Sequence, residues 1–269
     1  MNRDDGRDFD WFTSRREGAA RSLSILLLDT HTIEYLAMHA LSCDVEIYTS
    51  IGDDVGHDYH FTSRHTRVLD DVFQARDRLL SLLRLTNSVI VNFANKNAIL
   101  VPLKFSHVWI RGQSSPVILN LDTPDIRREE YFDPLCEAEL HDDYRNSNII
   151  SWALGVGLRN PNARMILRYL SNAPNWDDLY RICEIISRQQ SQRFVEDAFP
   201  DFGDFKRTAN DDSAGGETAR HVQPIGMPAQ HKTLRKPPRR PMALEDASDR
   251  VRKLVVEWFK KLDSENVLP

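Results

Sequence analysis

Glycine is scarce in this chain, at 11 of 269 residues, which argues against architectures built on glycine-rich phosphate loops or glycine-dependent repeats. Cysteine is scarcer still. Cys43, Cys136 and Cys183 are odd in number, lie far apart and include no C-x-x-C pair. Neither a disulfide framework nor a thiolate zinc site is supported, and the usage points to the inside of a cell. No apolar stretch approaches the roughly 20 residues that a membrane-spanning helix needs. The best run, 149–158, is too short and ends on Arg159. The opening MNRDDGRDFDW lacks the apolar core of a secretory signal. A cytoplasmic protein without a membrane partner is expected. Signature motifs are missing too. There is no G-x-x-x-x-G-K-[ST], no G-x-S-x-G and no H-E-x-x-H, and Gly155-x-Gly157 runs into Leu158-Arg159-Asn160, so the dinucleotide fingerprint fails. No cofactor is implied.

What is present is an ordinary globular composition. Hydrophobic residues make up 41%, charged residues 28%, and the net charge is −5. Residues 1–22 read as a polar arm carrying Trp11 and Phe12. The unbroken apolar run Ile25 to Leu28 predicts a buried strand, and THTIEYLAMHALS a helix. VEIYTSI alternates and is β-branched, which predicts another strand. From Thr66 to Leu85 a wide apolar stripe with charges behind it predicts the main helix of this half. Val89–Phe93, His107–Ile110 and Val117–Leu121 read as short strands separated by turn-forming residues. Residues 23–121 are thus expected to form an α/β region of about five strands and two helices.

After Leu121 the character changes. Residues 122–143 hold nine acids against Arg127 and Arg128, and 122–145 read as an acidic connector. Residues 146–269 read as helical. Asn160-Pro161 combines a cap with proline at the first helical position. Asn175 can cap a second helix whose first turn carries Asp177 and Asp178, where carboxylates suit the positive end of the dipole. Its stripe includes Cys183, read as a small core side chain. A final helix, Ala243 to Leu262, shows three/four spacing through Trp258, read as packing. Residues 218–243 interrupt this half with six bases, five prolines and no acid. The fold class expected is α+β, a small mixed sheet with an amphipathic helix and then a helical C-terminal half.

Three clusters carry candidate chemistry. Asp29-Thr30-His31 after a strand, with Gly52-Asp53-Asp54 further on, resembles the metallophosphoesterases. That resemblance implies Asp29, His31 and Asp53 as ligands of a two-metal site that activates water. The family's Asn-His and Gly-His-x-His motifs are missing, and an Asp after a strand also serves as a helix cap. Next, GDDVGHDYHFTSRH packs Asp53, Asp54, His57, Asp58, His60 and His65 together. It reads as a loop running into a strand, where positions three apart point to opposite faces, which favours a polar loop over a metal site.

The third cluster combines Asn210 with Arg220 and His221, able to cradle an anion beside two glycines. WDDLYRICEII, TAN…ARH and PMALEDA…W are together similar to an uncharacterised group of bacterial proteins, over about the last hundred residues. The resemblance implies a common fold and says nothing about a reaction. The basic stretch could meet phosphates, but it holds no Phe, Tyr or Trp on which bases could stack, and the chain is acidic overall, so nucleic acid is not favoured. It could equally pair with the acidic 122–143 segment or dock on an acidic protein. The reading that results is a non-enzymatic intracellular binding or assembly protein. Asn210, Arg220, His221, Arg235, Lys236, Arg239 and Arg240 would engage an acidic partner or phosphate groups. The alternative is a metal-dependent or Arg/His-assisted phosphoesterase or nuclease.

Overall fold

The computed structural model describes residues 23–27, 31–38, 45–51, 57–66, 72–94, 100–110, 149–210 and 240–265. The expected arm at 1–22, the strand at 117–121, the acidic segment 122–143 and most of 218–243 lie outside them. The described residues form an α+β fold whose C-terminal half is helical. In the first half, β1 (Leu23–Leu27), β2 (Val45–Ile51), β3 (His57–Ser63) and β4 (Phe105–Ile110) make one sheet in the order β2-β3-β1-β4. All three pairings are antiparallel, with Leu26 opposite His60 and Tyr48 opposite His60 on its other side. Alternation sorts the side chains. Val45, Phe61 and Leu27 are buried among the helices, while the other face carries the exposed Glu46, Tyr48 and Asp58 beside the buried polar Ser24, His60 and Thr62. Helices α1 (His31–Met38) and α2 (Val72–Phe93) pack against this sheet.

Helix α2 departs from its sequence expectation at both ends. A 3-10 turn, Arg64–Thr66, stands where the stripe was expected to begin, held by Thr66 Oγ1 donating to the Ser63 carbonyl at 2.7 Å. At the far end, Val89–Phe93 is helix rather than strand. The intervening Thr86-Asn87-Ser88 looks like a turn in sequence, yet each polar group is satisfied without one. Thr86 Oγ1 donates back to the Leu82 carbonyl at 2.9 Å. Asn87 brackets the Leu103 backbone, donating to its carbonyl at 3.0 Å and accepting from its N–H at 2.7 Å. Ser88 Oγ donates to the Leu167 carbonyl at 2.6 Å. Val89, Ile90 and Phe93 then continue the buried stripe of Leu79, Leu82 and Leu83, and this packing overrides their β preference.

The second half is built from α3 (Ile149–Arg159), α4 (Pro161–Leu170), α5 (Trp176–Gln189), α6 (Gln192–Ala198), α7 (Phe202–Ala209) and α8 (Leu244–Glu265). Eight of the 11 residues of α3 are buried, because α2, α4 and α8 all pack on it. The expected caps are in place. Asn160 Oδ1 accepts from the N–H groups of Asn162 and Ala163, and Asn175 Oδ1 from that of Asp178 at 2.8 Å. Cys183 and Trp258 are core residues, as the stripes required.

Polar groups on α2 tie the halves together. Asn92 Nδ2 donates to the Leu170 carbonyl at the end of α4, and its Oδ1 accepts from Arg252 Nε of α8 at 2.8 Å. Arg84 reaches Ser171 Oγ and Asn172 Oδ1 at the same helix end. Orphan carbonyls at a helix terminus are thereby satisfied inside the fold.

Candidate site at the base of the basic stretch

An aromatic cluster fixes α7. The Phe205 ring lies 5.4 Å from Phe199, 5.8 Å from Trp176 and 6.2 Å from Tyr180, so α7 is held against α5 and the end of α6. At its C-terminus Thr208, fully buried, donates through Oγ1 to the Asp204 carbonyl at 2.9 Å and accepts from the Met242 N–H at 3.2 Å. Residues 208 and 242 therefore touch although 33 residues separate them in sequence. Asn210 caps α7, its Nδ2 donating to the Lys206 carbonyl at 2.7 Å. Asn210 Oδ1 is buried and has no hydrogen-bond partner among the described residues. An acceptor left so costs about 1–3 kcal/mol. Arg240 and Pro241 are exposed, Met242 is half-buried, and α8 begins two residues later.

Of the anion-site residues expected from sequence, Asn210 and Arg240 are described. Each stands two residues from one partner of the Thr208–Met242 hydrogen bond. Arg220, His221, Arg235, Lys236 and Arg239 lie outside the described residues. The nearby acids on α7 and at its start have other partners. Asp201 pairs with Arg250 at 2.8 Å and Asp204 with Arg207 at 4.0 Å. Glu245 and Asp246 occupy the first turn of α8, where they complement its dipole.

The metal candidates fare differently. His31 opens α1 and is exposed, while Asp29 and Asp53 lie outside the described residues. His57 and His60 sit on a strand, at positions of opposite face. The buried His60 ring stacks on Tyr48 at a centroid distance of 5.0 Å, and its Nδ1 lies 3.3 Å from Ser24 Oγ. Among the described residues no group of three or more His, Cys, Asp or Glu could hold a metal ion.

Sequence reading missed one feature, an open groove of about 450 Å³ between α4 and α5. Met165 and Tyr169 line one side, and Asp177, Arg181, Glu184, Ile185 and Arg188 the other. Arg181 lies 2.9 Å from Asp177, with its guanidinium 6.0 Å from the Tyr169 ring centre. The hydrogen bond with Tyr169, and then the bond and charge of Asp177, hold the Arg181 proton more firmly than usual. The α5 side of this groove was readable as a charged stripe at three/four spacing. The α4 side depends on how the two helices cross. No described helix is long and apolar enough to cross a membrane. In comparisons with known proteins the chain matches no family model, no curated protein and no solved structure.

Proposed function

We propose that the chain is a non-enzymatic binding or assembly protein whose helical half presents the basic 218–243 stretch to an acidic protein partner or to phosphate groups. One observation carries the reading. Met242, near the end of the stretch holding six bases and no acid, is tied to α7 ten residues before that stretch begins, because the Met242 N–H bonds to Thr208 Oγ1 beside the Asn210 cap. A rigid platform of this kind lowers the ordering cost of a long basic segment when it meets a ligand. The exposed Arg240, beside an exposed proline, is the described edge of that surface. Asp201 and Asp204, the acids of α7 and its start, pair with Arg250 and Arg207 of the helical half.

The test uses the full chain and a variant with Arg235, Lys236, Arg239 and Arg240 replaced by Ser. Retention is measured on immobilised polyglutamate and on phosphocellulose over a salt gradient. The wild-type chain binds one of these at low salt and elutes as salt screens the contacts, while the variant runs through with an unchanged melting temperature. Equal retention of the two chains overturns the reading. So does a variant that no longer folds, since the basic residues are then structural.

A further inference from the structure

The exposed stripe of α5 has a pattern that its individual residues conceal. Asp177, Arg181, Glu184 and Arg188 alternate in sign. At about 100° per residue they fall within about 60° of one another on the helix. They also form an inverted palindrome. Positions 177 and 188, and 181 and 184, are symmetric about the point between Ile182 and Cys183, and each symmetric pair joins an acid to a base. Ile182 and Cys183 themselves are buried on the opposite side, in the core.

An inverted palindrome of charge on a helix is complementary to itself when the second helix runs antiparallel. We propose that this face is an isologous docking surface for a second copy of the chain, with the two α5 helices crossing antiparallel on a two-fold axis. In that arrangement Asp177 faces Arg188 of the second copy and Arg181 faces Glu184, so four ion pairs form over about 16 Å of helix. Unshifted parallel pairing and a one-step antiparallel shift place like charges together, and the other shifts keep at most three opposite pairs, so the unshifted antiparallel register has the most.

The surroundings suit this occupant. Arg181 and Asp177 are 52% and 41% exposed, and their pair within one chain is of the i,i+4 type that holds little and can extend into a network. Arg188 is exposed and makes no hydrogen bond or ion pair among the described residues. Ile185, half-buried beside the charges and flanked by Tyr169 of α4, falls opposite position 180 of the second copy, a tyrosine. A small apolar strip bordered by charge fits a weak, salt-sensitive homodimer rather than an obligate one.

Sedimentation velocity of the full chain tests the proposal, from about 10 to 300 μM, a range that brackets a weak dimer. A dimer is expected at low salt, dissociating at about 0.5 M salt, where screening acts within a few ångströms. Arg188→Glu and Asp177→Lys each oppose like charges across the axis and are expected to weaken the dimer at least tenfold. Mixing these two variants restores complementarity and is expected to restore a heterodimer. Should Asp177→Lys fail to fold, Arg181→Glu mixed with Glu184→Lys makes the same comparison. A wild-type chain that stays monomeric throughout, a dimer indifferent to these reversals, or a mixture that stays monomeric overturns the proposal.

Discussion

Gly157 of α3 lies against Leu167 of α4. A Cβ placed on this residue would overlap Leu167 Cδ1, with Leu167 Cγ 3.7 Å away. Leu167 is fully buried, so its side chain has little room to withdraw. Two effects oppose each other in Gly157→Ala. Alanine lowers the chain-entropy cost of the helix, worth about 0.5–1 kcal/mol. Overpacking a filled core costs about 1–3 kcal/mol. The clash is expected to win by about 1 kcal/mol, which for a chain of this size lowers the melting temperature by about 2–4 °C. Gly203 supplies the contrast, because an added Cβ there meets only Arg207 Nη2 at 3.9 Å. Gly203→Ala is therefore expected to be neutral or stabilising by up to about 1 kcal/mol. Urea titrations of both variants, repeated for Gly157→Ala in a Leu167→Val background, read the balance. If the overlap is the cause, the smaller side chain relieves most of the Gly157→Ala penalty, giving a coupling of at least about 0.5 kcal/mol. A stabilised Gly157→Ala chain, or equal penalties in both backgrounds, refutes the close approach of α3 and α4.

Two further outcomes follow from buried groups. The Trp258 side chain is fully buried, and its Nε1 has no hydrogen-bond partner among the described residues. Trp258→Phe removes that N–H, a relief of about 1–3 kcal/mol, against a smaller ring. It should cost far less than Trp258→Ala, for which about 3–5 kcal/mol is expected, and equal losses in chemical denaturation would contradict this. Burial, and then the charge of Glu184, pushes the Cys183 thiol well above its ordinary pKa. The folded state then keeps a proton that the unfolded state loses above about pH 8.5, so stability is full below that pH and falls as pH rises. Relative to Cys183→Ala, unfolding free energy should drop by about 1.4 kcal/mol per pH unit above about 8.5, and parallel curves would exclude the effect.

The parts of the fold that could be read from sequence are those whose signals are local. Asn160-Pro161 and Asn175 cap helices because a side-chain oxygen, a fixed φ and a following apolar stripe act within one turn. The alternation of 45–51 and the stripe of the last helix were legible for the same reason. Val89–Phe93 was misread because its β-branched residues are kept helical by partners distant in sequence. The Leu167 carbonyl receives Ser88 and the Leu103 backbone receives Asn87, and no periodicity within 86–93 announces either contact. The base of the basic stretch shows the same division. Its charge and prolines were plain in the sequence, whereas the hydrogen bond near its end joins Met242 to Thr208, 34 positions earlier.

The charge pattern of α5 extends this point. Asp177 was legible as a helix-dipole partner, a role that needs only its place in the first turn. Its place in an alternating, symmetric stripe emerges only once Ile182, Cys183 and Ile186 are seen to face the core, which leaves the charged side outward. The two roles make different demands. A dipole partner can be Asp or Glu anywhere in the first turn, and its loss acts on helix stability alone. A member of the stripe must be at position 177, and its reversal acts on association while complementary reversal in a second chain cancels it. Melting temperature and sedimentation therefore separate the two roles for this residue. Moving the acid from 177 to 176 cannot make the distinction, because Trp176 is packed against Phe205 and its loss would disturb the platform of α7 itself.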